Sequence, residues 1–131
     1  MISKRLAPFG INIFSEMTRF AEEQGAINLS QGFPDFDGPS ELLENAVRAL
    51  RSGHNQYARS MGYQGLVEAV SEKVQQHYKL HYDPYSEVVI CSGATEGMAS
   101  TFLGLLNPGD EVIFFEPYYD SYPAFAALAG A

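Results

Sequence analysis

The sequence predicts an α/β fold in which parallel strands alternate with helices. The residues from Val88 to Cys91 form a short apolar run rich in β-branched side chains, which is typical of a strand. A turn of small residues and an apolar pattern of helical spacing follow, and a second apolar run spans Val112 to Phe115. Strand, helix and strand within about thirty residues make a βαβ unit. We therefore expect the two strands to be parallel, with a right-handed crossover.

Four other segments place apolar residues at helical spacing. They are residues 13–24, ended by Gly25; 40–50, ended by Gly53; 66–80, with Pro84 beyond the end; and 122–129, capped by Gly130. The arm before Ile13 and the segments 30–39 and 54–63 have no period and are expected to be irregular. In the 30–39 loop, Phe33 and Phe36 favour packed order.

Composition and charge limit the classes of partner. The chain has 131 residues and 46% hydrophobic content, which suits a globular domain with a real core. A net charge of −8 argues against nucleic acid and against anionic membrane surfaces. The single Cys91 lies in an apolar run, so we expect a buried structural thiol and no intrachain disulfide. No signal-like or membrane-spanning apolar run is visible, and we expect a soluble, cytoplasmic protein.

The turn after the first predicted strand has the chemistry of an anion site. Such a turn lies at the carboxyl end of a strand, where the unpaired N–H groups of a helix start face outward. Ala94 and Thr95 would offer backbone N–H groups, and the Thr95 hydroxyl would be a third donor. Gly93 would let the backbone come close to the anion. A purely structural βα turn is an equally good interpretation of these residues alone. The turn is neither GxGxxG nor GxxxxGK[ST], so neither a dinucleotide nor a nucleotide site is supported.

Five motifs, taken in order, carry a resemblance to a known family. They are residues 28–36, 55–57 with Gly62 and Tyr63, 92–96, 107–110 and 116–122. Together they resemble the amino-terminal part of class I, fold-type-I aminotransferases, which use pyridoxal 5′-phosphate. The nearest branch holds kynurenine, glutamine and methionine aminotransferases and cysteine-conjugate β-lyases. The resemblance implies an incomplete large domain of the pyridoxal-phosphate transferase fold over residues 40–131. Residues 1–39 would be the arm, first helix and active-site loop.

The resemblance also implies roles for residues that would bind the cofactor. The turn of Gly93, Ala94 and Thr95 would hold the phosphate of pyridoxal 5′-phosphate. Tyr119 would stack on the pyridine ring, and Tyr57 would reach across a homodimer to the partner's phosphate. Without the family, Tyr119 is equally well a loop tyrosine packed against Pro117, and Tyr57 an ordinary surface tyrosine.

Three further residues would bind the substrate. The resemblance implies that the backbone of Gly32 lies beside the substrate carboxylate and that Ile13 and Phe14 line the side-chain pocket. From the residues alone, Gly32 is also explained as a loop glycine needed for its backbone angles. Ile13 is better explained as part of a helix stripe that faces the core.

The family's Schiff-base lysine, its aspartate partner of the pyridine nitrogen and its arginine for the substrate carboxylate have no match here. Lys4, Lys73 and Lys79 are the only lysines, and none stands at the family's position. We expect the chain to be the first part of a larger protein, inactive by itself and without a metal site. The complete chain would transfer an amino group between an L-amino acid and a 2-oxo acid.

Two other functions stay open. One is a non-catalytic binding domain of aminotransferase-like fold, as in some transcription regulators, although no basic segment precedes Ile13. The other is a pyridoxal-phosphate C–S β-lyase on the same fold, which these motifs hardly separate from an aminotransferase.

Overall fold

The computed structural model describes residues 3–32 and 34–131, so the expectation for Phe33 lies outside the described residues. The chain forms two compact units. Unit 1 combines Met1–Pro34 with Ala94–Ala131, and unit 2 is Asp35–Gly93. The elements of the described chain are a short 3₁₀ helix, Lys4–Leu6, and the α-helices α1 (Ile13–Gln24), α2 (Ser40–Arg51), α3 (Gln64–Tyr78), α4 (Gly93–Leu105) and α5 (Tyr122–Ala129).

Capping residues explain where the helices begin and end. The Asn12 side chain accepts a hydrogen bond from the Ser15 N–H at 2.8 Å, which satisfies a free donor at the start of α1. Gly25 and Gly130 end α1 and α5 in the left-handed conformation, with φ of 60° and 87°. The predicted helices over residues 13–24 and 122–129 are therefore confirmed. Helix α3 begins and ends two residues earlier than predicted, because Lys79 takes the left-handed conformation that stops it.

The core of unit 1 lies on α5. Phe125, Ala126 and Ala129 are buried, and α5 packs on the 3₁₀ helix, where Arg5 Nη1 donates to the Leu128 carbonyl at 2.6 Å. A series of aromatic contacts extends from this core, with ring centroids 5.6–6.2 Å apart. In order, it joins Phe125, Phe102, Phe114, Tyr122 and Tyr119.

The core of unit 2 is centred on Val67, which is 1% exposed. Gly62 packs beside it with φ of 122°, and a Cβ built there would lie 2.5 Å from Ile90 Cγ1. The Ile90 N–H donates to the Met61 carbonyl at 2.9 Å. The irregular segment 54–63 is therefore fixed at its end to the run that precedes Gly93.

The described residues contain no β-strand, so the predicted parallel βαβ units are not confirmed. The runs Val88–Cys91 and Val112–Phe115 have no regular secondary structure, because a strand requires a hydrogen-bonded neighbour as well as an apolar pattern. Val89 is 54% exposed and Cys91 is only half-buried, so the expected burial of this run and its thiol is wrong. Phe36 is exposed, which contradicts the expected packing of the 30–39 loop. Among the described helices, none is long and apolar enough to cross a membrane.

Candidate cofactor and substrate site

The turn that opens α4 is the one for which the sequence predicts an anion site. Gly93 has φ of 77°, which favours glycine, and its N–H donates to the Cys91 carbonyl at 2.9 Å. Ala94 and Thr95 are exposed in the first turn of α4. Within residues 3–32 and 34–131, nothing accepts a hydrogen bond from their N–H groups or from the Thr95 hydroxyl. These three donors remain available to a ligand.

A cleft of about 450 Å³ in unit 1 brings together residues from α1, the following loop and the segment after Phe115. The rings of Phe14 and Tyr119 lie 6.2 Å apart on it, tilted by 36°. Tyr122 contacts Tyr119 edge-on at 5.6 Å. Tyr119 is 42% exposed, so one part of its ring is held by aromatic neighbours and another part is open. Its ring neighbours are Phe14 and Tyr122, which makes packing against Pro117 alone an incomplete account.

The loop after α1 reaches the same cleft through Gln31, next to Gly32. Gly32 does not have a positive φ, and a Cβ built on it would meet nothing within 4 Å. The explanation of Gly32 by its backbone angles is therefore wrong. Ile13 is 51% exposed at the start of α1, so the core-facing interpretation of Ile13 is also wrong, although Ile13 does not line the cleft.

Asn28 connects this loop to α1. Its Nδ2 donates to Thr18 Oγ1 at 3.0 Å, and both groups are partly buried. Its Oδ1 accepts from the Ser30 N–H at 3.0 Å and from the Ser30 hydroxyl at 2.6 Å. No sequence pattern reveals this link, since a polar pair ten residues apart across a helix end belongs to no period.

Tyr57 lies in unit 2 and is fully exposed. It lines a wide cavity of about 1050 Å³ with Arg48, His54 and Tyr63. Its segment is held on one side by Asn55, whose Nδ2 donates to the Leu50 carbonyl at 3.0 Å. A tyrosine so exposed makes no use of its ring within unit 2.

On the other side, Arg59 holds the same segment. Its guanidinium lies 5.5 Å from the centre of the Tyr85 ring. The Tyr85 hydroxyl donates to the Glu68 carboxylate, and Gln64 Nε2 donates to the same carboxylate at 3.1 Å. The bond between Tyr85 and Glu68 is the main cause that raises the pKa of Tyr85 and lowers the pKa of Glu68.

Most of the predicted site residues fall in one unit. Phe14, Gly32, Ala94, Thr95 and Tyr119 all belong to unit 1, and the structure brings Phe14 and Tyr119 into contact. The turn of Ala94 and Thr95 does not line the cleft on which Phe14 and Tyr119 meet.

The chain belongs to the aminotransferase class I and II family, whose model matches residues 24–131. It is 44% identical over 131 residues to a probable N-succinyldiaminopimelate aminotransferase of Mycobacterium tuberculosis, covering all of this chain and 33% of that one. It is 44% identical over 126 residues to the methionine aminotransferase of Escherichia coli, covering 96% of this chain and 33% of that one.

A solved structure of the Mycobacterium tuberculosis N-succinyldiaminopimelate aminotransferase superimposes with a TM-score of 0.92 at 44% identity, over 100% of this chain and 34% of that one. The resemblance seen in the motifs is confirmed. The chain spans about a third of the length of these relatives.

Proposed function

We propose that the complete protein is a pyridoxal-phosphate-dependent aminotransferase that moves an amino group between an L-amino acid and a 2-oxo acid. The observation that carries the proposal is the contact between Phe14 and Tyr119. Phe14 is assigned to the substrate pocket and Tyr119 to the cofactor ring, and these distant parts of the sequence lie 6.2 Å apart on one cleft. The relatives matched over this region carry aminotransferase names.

The residues present fit pyridoxal 5′-phosphate. The N–H groups of Ala94 and Thr95 and the Thr95 hydroxyl would hold the phosphate, since a helix start with free donors favours an anion. The partly open ring of Tyr119 would stack on the pyridine ring, with Phe14 and Tyr122 fixing its tilt. When bound, the cofactor supplies the electron sink that weakens the bonds at the amino acid α-carbon.

The chain's other residues would bind and orient the substrate. Gly32 has open space where a Cβ would stand, so its backbone can approach the substrate carboxylate closely. Phe14, which lines the cleft, would cover the substrate side chain and exclude water from it. Ile13, exposed at the start of α1, would extend this cover outside the cleft. Tyr57 projects from unit 2 without a partner for its ring, which suits the contact with the partner's phosphate in a homodimer.

Two further points belong to this proposal. Residues 1–131 alone do not catalyse the reaction, because no lysine here matches the family's cofactor-bearing position. The runs Val88–Cys91 and Val112–Phe115 become parallel strands when the rest of the protein supplies hydrogen-bonded neighbours. Exposure alternates along Val112–Phe115, which is the side-chain pattern of a strand with one covered face. In the first run the pattern is partial, since exposed Val89 lies between half-buried Val88 and Ile90 but Cys91 is half-buried as well.

The test is amino transfer by the complete protein. Purified enzyme loaded with pyridoxal 5′-phosphate is assayed with a panel of L-amino acids and a 2-oxo acid, and both products are measured. Equal amounts of new amino acid and new oxo acid are expected. Thiol release without consumption of the oxo acid would show a β-lyase instead. Cofactor binding without turnover of any substrate would show a non-catalytic domain.

A matched experiment addresses residues 1–131. They are mixed with pyridoxal 5′-phosphate, reduced with borohydride and analysed by mass spectrometry. We expect no stoichiometric label at a single lysine. Full labelling of Lys4, Lys73 or Lys79 with measurable transfer activity would contradict the proposal.

A further inference from the structure

We infer that Asn28 and Thr18 are positioning residues that set where Gly32 presents its backbone to the substrate carboxylate. The inference rests on the proposed function and deepens it. It names the contact that aligns the loop after α1 with the helix that carries Phe14. Neither Asn28 nor Thr18 would touch the substrate's reacting atoms.

The geometry of the Asn28 amide carries the argument. One end of the amide, Nδ2, donates to Thr18 Oγ1 on α1 at 3.0 Å. The other end, Oδ1, accepts from the Ser30 N–H at 3.0 Å, which closes an Asx turn that shapes the loop toward Gly32. A single rigid amide thus joins the helix and the loop.

Few other bonds hold this loop. Between Ile27 and Gly32, the hydrogen bonds of the described chain are those of Asn28 with Thr18 and Ser30. Ile27 and Leu29 are 86% and 90% exposed, so these two apolar side chains do not fix the loop by packing on the described residues. Among the described residues, the bond between Asn28 and Thr18 is therefore the hydrogen bond that ties this loop to α1.

The link also lies at the right place to affect the substrate. Thr18 lines the cleft beside Phe14 and Tyr119, and Gln31 lines it from the loop side. Thr18 and Phe14 are four residues apart in α1 and share one face of the helix. A shift of the loop relative to Thr18 would therefore change the distance between Gly32 and the Phe14 side of the cleft.

The test uses Thr18→Val and Thr18→Ser in the complete protein. Valine has nearly the same shape as threonine but cannot accept the hydrogen bond from Asn28, whereas serine keeps the acceptor. For Thr18→Val we expect the KM for the amino acid to rise roughly three- to tenfold, the loss that one neutral hydrogen bond predicts, with kcat changed less than about twofold. Thr18→Ser should keep the wild-type KM.

Thr101→Val is the matched control. Thr101 is an exposed helical threonine whose hydroxyl donates within α4 to the Gly97 carbonyl at 2.7 Å. Its replacement by valine should leave the KM for the amino acid unchanged. Hydrogen exchange at residues 29–32 gives a readout that does not need activity. Exchange there should accelerate in Thr18→Val and stay unchanged in Thr18→Ser and Thr101→Val.

The outcomes separate the two levels of the argument. If the wild-type protein transaminates but Thr18→Val keeps both its KM and its loop exchange, the positioning role is wrong. It is equally wrong if Thr18→Ser raises KM as much as Thr18→Val, or if exchange rises without any change in KM. An inactive wild-type protein would instead refute the proposed function, and the inference with it.

Discussion

Gly62→Ala should destabilise unit 2 strongly, because Gly62 faces two constraints at once. Its φ of 122° is a conformation that residues with a Cβ rarely adopt. A Cβ there would also lie 2.5 Å from Ile90 Cγ1 and 2.9 Å from Ile90 Cβ. The Ile90 atoms are close to the backbone and cannot swing aside as a flexible chain end could.

The expected loss follows from these two effects. Strain at the special backbone conformation costs about 1–3 kcal/mol, and overpacking of the contact with Ile90 a further 1–3 kcal/mol or so. The free energy of opening α3 should therefore fall by about 2–6 kcal/mol. This fall in opening free energy can be measured by native-state hydrogen exchange of the complete protein, at the amides of Gln64–Tyr78, which surround buried Val67.

Gly104→Ala is the matched control, since Gly104 lies inside α4 and a Cβ there meets nothing within 4 Å. It should be neutral or stabilising by up to about 1 kcal/mol. A Gly62→Ala protein whose opening free energy at α3 falls by less than about 1 kcal/mol would refute the reasoning. In that case Ile90 would have to move without cost.

Four further predictions concern the site and its surroundings. Thr95→Val in the complete protein should weaken the binding free energy of the phosphate by about 1.5–3 kcal/mol, which raises the Kd of the cofactor roughly tenfold or more. A Kd that is unchanged in a fluorescence titration would show that Thr95 does not belong to the site. Tyr119→Leu should lose about 0.5–1.5 kcal/mol of stacking and shift the cofactor's absorption spectrum, whereas a wild-type spectrum and affinity would show that the ring stacks elsewhere. Gly32→Ala should leave the melting temperature unchanged but raise the KM for the amino acid severalfold, and a lowered melting temperature with an unchanged KM would indicate a structural glycine. In an ultraviolet titration the pKa of Tyr85 should lie above its ordinary value of 10.0, and Glu68→Gln should lower it; an unaltered titration in the variant would contradict the pairing. The stabilisation that Tyr85 contributes is present below pH 10.0 and is lost as the pH rises through the folded-state pKa.

The helices were predictable because their signals are local. Asn12 and Gly25 fix the ends of α1 through one side-chain bond and one backbone angle, and both are visible as residue types in the sequence. The strands were not predictable in the same way, because the sequence of Val88–Cys91 shows only which side chains are apolar. Whether such a run becomes a strand depends on a neighbouring backbone that no local pattern specifies.

The site shows a similar division. The turn at Gly93 follows from a small-residue sequence before an apolar helix, and its positive φ agrees with that prediction. The approach of Phe14 to Tyr119 has no local signal, and the family resemblance alone placed both residues at one site. The bond between Asn28 and Thr18 escaped both arguments, since it depends on how sharply the chain turns after Gly25.

The discontinuity of unit 1 has a consequence for the order of folding during synthesis. Arg5 and Leu128 are 123 residues apart, yet they are joined by a hydrogen bond, and α5 supplies the buried core of that unit. Closing a loop of this length costs about 4 kcal/mol of chain entropy beyond a fixed term. Unit 2 is a continuous segment that a ribosome completes first. The amino-terminal residues must therefore wait, with their apolar side chains uncovered, until residues 94–131 have emerged, and this interval is when a chaperone would have most to bind.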